Sequence, residues 1–179
     1  MRGPLVTNLK YKLFTIIPTV QATPDYAAGD VLFAPTEIAN IFQEAGSSCI
    51  IKSITIIDKQ IVGTHDFTLY FTYSSTALGS INATADVGIG TLEEIQAVVP
   101  IENGDWIAGG GADSVDNANV LTITHASEAA DASGIGAVLQ GSNWAGTSTS
   151  SGIYVVGIAG ETMNVASTSD LIIKVGVEY

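Results

Sequence analysis

The chain has 179 residues, enough for one well-buried core, and only 13% of them are charged where about a quarter is usual. Its net charge of −12 speaks against nucleic acid as a partner, because phosphate binding needs a basic patch. No stretch approaches the ~18 apolar residues of a membrane helix, Met1-Arg2-Gly3-Pro4 does not open a signal peptide, and the lone Cys49 excludes an intrachain disulfide or a thiolate metal set.

Charge is unevenly placed. Arg2, Lys10 and Lys12 lie in the first twelve residues, and no Asp or Glu precedes Asp25. Residues 1–12 therefore carry +3 from side chains and the rest of the chain −15. Such an arm is either a solvated tail or an electrostatic handle for an acidic surface, and the second reading makes Arg2, Lys10 and Lys12 candidate partner-binding residues.

In chain order, Gly3 and Pro4 disfavour regular structure at the start. Tyr11 to Ile17 reads as a strand ended by Pro18. Pro24 and Asp25 make a turn, and Tyr26 to Phe33 reads as a short strand interrupted at Gly29-Asp30. Thr36 to Glu44 fits either a helix capped by Thr36 or an irregular strand.

The stretch from Cys49 to Tyr73 is the centre of the pattern. Cys49 to Asp58 is mostly β-branched, which suits a pleated surface. Phe67, Leu69, Phe71 and Tyr73 alternate with Thr68, Tyr70 and Thr72, the period of a half-buried strand. The linker holding Gly63 predicts that the two are antiparallel partners joined by a long loop. Cys49 itself reads as a small buried hydrophobe.

Asn82-Ala83-Thr84 matches a glycosylation sequon, which means little without a secretory signal. Thr91 precedes Glu94 at capping-box spacing, predicting one or two helical turns over Thr91 to Gln96. Ala97–Ile101, Val120–Thr124, Ala137–Leu139, Ile153–Ile158 and Leu171–Val177 read as further strands. Between them lie Gly109 to Asn119 and Gly141 to Gly152, the second a loop with Trp144 as an exposed contact candidate. Many short strands, turn-rich links and one or two short helical turns predict an all-β antiparallel sandwich. The expected division is a basic arm over 1–12 and a β-sandwich domain over 13–179.

Catalysis has little support. Of the two histidines, His125 lies at a strand end and His65 stands beside Asp66, which on a strand would face the opposite way. Both read as surface or loop histidines. Asp113, Asp116, Asn117 and Asn119 are oxygen ligands of the calcium type, but their spacing fits neither an EF-hand nor the nonapeptide repeat. An ordinary Gly/Asx turn is the reading taken. No cofactor, metal or catalytic residue is expected.

Three pieces together carry a resemblance. They are Tyr26-Ala27-Ala28-Gly29-Asp30-Val31, then Ile51 to Lys59 leading to Phe67–Tyr73, then Ile153-Tyr154-Val155-Val156 with Ser169-Asp170-Leu171-Ile172-Ile173. This layout resembles small virion structural proteins of tailed bacteriophages, of the capsid decoration or cement type. The resemblance implies a non-enzymatic, jelly-roll-like sandwich on the virion surface, binding the major capsid protein and often a homo-oligomer. The alternative is a receptor- or glycan-binding module of a phage head or tail fibre, using loop aromatics such as Trp106, Trp144 and Tyr154.

Overall fold

The computed structural model describes residues 10–44, 46–59, 65–102, 104, 106–108, 119–124, 136–141, 152–165 and 167–179. The strands are β1 (Tyr11–Ile16), β2 (Val31–Ile38), β3 (Ser48–Asp58), β4 (Phe67–Thr72), β5 (Ile95–Ile101), β6 (Ile107–Ala108), β7 (Asn119–Thr124), β8 (Val138–Gln140), β9 (Ile153–Ala159) and β10 (Leu171–Glu178). One helical turn, α1 (Ile89–Leu92), precedes β5.

Four antiparallel pairs are nested in the sequence: β1 with β10, β2 with β9, β3 with β7, and β4 with β5. The chain thus runs as one long hairpin with its tip between β4 and β5. Rolling that hairpin adds the pairs β10–β3 and β9–β4 and closes two sheets. The first has the order β1-β10-β3-β7-β6, with β8 also on β3; the second has the order β2-β9-β4-β5. This is the jelly-roll arrangement of two facing antiparallel sheets.

Inward residues alternate as the pleat demands. Ile54 and Ile56 of β3 and Ile173 and Val175 of β10 meet Leu69 and Phe71 of β4 and Val155 of β9 in one core. At roughly 1.5–3 kcal/mol for each fully buried large side chain, this core is the main stabilising term. Cys49 lies buried in it. Burial pushes its thiol up to about 12, so it behaves as a small hydrophobe.

Several sequence expectations change. β3 and β4 are not partners: they sit in opposite sheets. The strand interrupted at Gly29-Asp30 begins only at Val31, and Tyr26 makes an isolated bridge to Met163. Thr36 continues β2, while Ile41 and Phe42 are buried in the turn that follows. The helical turn starts at Ile89; Gly88, not Thr91, is its N-cap, and no side chain caps it.

Candidate docking surfaces

The two outer faces of the sandwich differ. The connection from β4 to β5 crosses the outside of the four-stranded sheet as a strap. Leu78, Ala85 and Val87 from this strap pack on Val31, Val156, Tyr70 and Ile158. Backbone bonds hold it in place: Val31 N–H donates to Ala83 O at 2.9 Å and Asn82 N–H to Val31 O at 2.9 Å. The last part of the strap is α1, none of whose residues is buried. Ile89 is 81% exposed and Leu92 54%.

The outer face of the six-stranded sheet carries apolar and hydroxyl side chains. Ile172 pairs with Ile57, Ile57 with Val120, and Val120 with Ile107, so one apolar row runs across four strands. Ile107 is 72% exposed. The next row holds Thr15, Lys174, Thr55 and Thr122, and the Thr55 and Thr122 hydroxyls lie 3.1 Å apart. At the register shift beyond Gly176, Lys52 bulges outward and pairs with Glu178 at 3.2 Å. Glu178 is the one acid in these rows, on a chain with 18 Asp and Glu.

The sheet edges are guarded by other means. β2 carries Pro35 between register shifts, and β5 carries Pro100, which offers no N–H. β6 has two residues. On β8, the Gln96 side chain donates to Gln140 O at 2.7 Å and accepts from Gln140 N–H at 2.6 Å. β1 carries Lys12 on the side of Phe14 and Ile16, with its ammonium 4.5 Å from the Phe14 ring centre. Proline, brevity and an inward-tending lysine all block strand addition. Contact with a neighbour is therefore left to faces and clefts.

One such cleft, of about 750 Å³, opens at the start of β1. Lys10, Lys12, Tyr11, Phe42, Gln43 and Tyr179 line it. Tyr179 N–H donates to Lys10 O at 3.1 Å and its hydroxyl to Ile41 O at 2.6 Å, so Lys10 and Tyr179 meet beside the β2–β3 turn here. Two ammonium groups beside aromatic walls suit an acidic, partly apolar partner segment. Lys12 belongs to β1 itself, although its charge groups it with the arm.

His65 is the residue that sequence reasoning missed. It lies in a loop as expected, but it is buried and not at the surface. Asp58 Oδ2 stands 3.7 Å from Nε2 and Glu161 Oε1 3.9 Å from Nδ1. Neither ring nitrogen has a hydrogen-bond partner among the described residues. The two carboxylates flank opposite sides of the ring, so the trio shares no central point for a metal or a proton relay to a nucleophile. Trp106 donates its Nε1–H to His65 O at 2.9 Å and tilts against Phe67. The fold, not the local spacing, brings Asp58 and Glu161 to the ring.

Of the other sequence candidates, Arg2, Trp144, His125, Asp113, Asp116 and Asn117 lie outside the described residues. Asn119 is buried at the start of β7, paired with Asp58. Tyr154 is half-buried on β9.

No protein-family model matches the chain, and no curated protein matches it. Among solved structures, the chain is similar to one of Desmodium yellow mottle tymovirus, with 11% identity over 99% of this chain and 91% of that one and a TM-score of 0.28. A chain from the full particle of Israeli acute paralysis virus shows 12% identity over 96% and 67%, with a TM-score of 0.25. One from the VP2 subviral particle of infectious bursal disease virus shows 16% identity over 96% and 41%, with a TM-score of 0.20. At scores this low the fold rests on the strand registers above. They make the chain a jelly roll, an architecture shared by viral capsid domains, lectins and cupins.

Proposed function

We propose that the protein is a non-enzymatic structural subunit of a virus particle, decorating or cementing the capsid shell by binding the major capsid protein. One observation carries this reading: among the described residues, a stiff slab with guarded edges presents one sheet face of half-exposed apolar and hydroxyl side chains with few acids. Such a face is the mark of a protein that works by contact. The low charge content and the resemblance in strand layout support the same reading.

Docking on the shell is assigned to the basic cleft. Lys10 and Lys12 line it, and Arg2 belongs to the same charge cluster in sequence. Attraction to an acidic shell surface sets orientation and on-rate. Contacts of about 1,000 Å² each, repeated over a lattice, add up to firm attachment. The test is co-sedimentation with intact particles. Because Tyr11 and Lys12 are part of β1, the truncation should remove residues 1–9, alongside a Lys10→Glu/Lys12→Glu variant. Both should reduce particle occupancy, more at low salt than at high salt. Unchanged occupancy for both would remove the cleft from the account.

A further inference from the structure

The outer face of the six-stranded sheet and the exposed turn α1 are separate patches, α1 ending the strap that packs on the other sheet. We infer that they are the two halves of a head-to-tail contact, in which Ile89 and Leu92 of one copy seat on the Ile172–Ile57–Val120–Ile107 row of the next.

The charge around each half fits this pairing. The strap around α1 carries Asp86, Glu93 and Glu94. The six-stranded face carries Lys174 in the row beside the apolar one, and Glu178, the one acid among its described residues, is taken up by Lys52. An acidic, apolar-tipped turn therefore meets an apolar floor whose unpaired charge, among the described residues of these rows, is Lys174. Two copies of this acidic chain repel over most of their surfaces. The face poor in acids is where a second copy can approach, and the α1 turn is the complementary part of that copy. The guards on β1, β2 and β5 disfavour the competing route of strand pairing between copies.

A contact between different patches is heterologous, so it does not saturate at a dimer; it continues into a ring or a chain. This inference rests on the reading that the protein works by contact. It does not depend on which particle is bound, because it is tested in solution without particles.

The experiment is sedimentation velocity of the full chain from about 10 µM to about 1 mM, the range of a modest protein contact. The wild type should grow past a dimer with concentration. Ile89→Asp and Ile107→Asp change exposed side chains on the two halves, and each alone should weaken association by roughly tenfold or more. Leu92→Asp should act like Ile89→Asp. Thr162→Asp, at an exposed position between β9 and β10, adds the same charge on neither half and should associate like the wild type. Mixed in equal amounts, Ile89→Asp and Ile107→Asp each retain one good half, so they should form a hybrid dimer and nothing larger. A wild type that stays at 18.5 kDa throughout the range would overturn the inference. So would an Ile89→Asp variant that associates as the wild type does, or a mixture that forms no dimer.

Discussion

The Tyr11 side chain lies across Gly176 and its hydroxyl stands 2.8 Å from that of Ser53, so one side chain spans β1, β10 and β3. A methyl group at 176 would collide with the phenol oxygen. Gly176→Ala should lift Tyr11 off the sheet and cost about 1–3 kcal/mol through overpacking and a lost hydrogen bond. Denaturant unfolding of Gly176→Ala with and without Tyr11→Ala checks this. The cost should shrink in the Tyr11→Ala background, where the remaining close neighbour of the added methyl is the rotatable Ser53 hydroxyl. An equal cost in both would mean that Tyr11 is not the obstacle.

Alkali should loosen the fold from an identifiable point. Burial raises the Cys49 thiol from 9.0 to about 12. It also raises the phenols of Tyr26 and Tyr179, with the Tyr26 shift partly offset by the Gln21 N–H and Cys49 adding to that of Tyr179. An acid held protonated in the fold ionises first in the unfolded chain. Stability is therefore unaffected by Cys49 below about pH 9 and falls as pH rises toward 12, by up to about 1.4 kcal/mol per pH unit. Cys49→Ala should flatten the first part of that decline while lowering stability at neutral pH. Native protein should resist thiol alkylation at pH 8 and react once unfolded; rapid native labelling would contradict the burial of Cys49.

His65 sits between two carboxylates, and among the described residues neither ring nitrogen has a hydrogen-bond partner. Its contribution is therefore packing against its neighbours. His65→Phe keeps a ring of similar size and removes two unsatisfied polar atoms, so stability at pH 8 should stay within about 1 kcal/mol of the wild type. A denaturant midpoint corresponding to a loss above about 3 kcal/mol would show that the imidazole nitrogens hold the loop.

The guarded edges predict what happens when the guards are removed. Lys12→Val and Pro100→Val together free the outer edges of β1 and β5 for strand addition. The double variant should form aggregates that bind thioflavin T under conditions where the wild type stays dispersed. A variant as soluble as the wild type would mean the edges are protected by something else.

Strand identity was largely legible in the sequence, because alternation in Phe67–Thr72 and Leu171–Glu178 states directly which face is buried. Partnering was not. The pattern of β3 and β4 says that each has a buried face, but nothing in either says whether the intervening linker turns back or crosses to the other sheet. The outer face leaves one trace in the sequence: Ile57 of β3 is out of phase with Ile54 and Ile56, while Ile50, in phase with them, is turned outward by the bulge at Lys52. The helix-or-strand ambiguity at Thr36–Glu44 was settled by pairing with β9, a long-range effect outside any local window. The surroundings of His65 were illegible for the same reason, since Glu161 lies far along the chain.

Counting copies on particles tests the central claim most directly. Virus particles carrying this chain, purified through a density gradient, should retain it in a fixed ratio to the major capsid protein, at a copy number that is a multiple of equivalent lattice sites. Quantitative mass spectrometry of the gradient peak reads that ratio. A chain that stays at the top of the gradient, or one present at a few copies unrelated to the lattice, would contradict a subunit whose work is contact with the shell.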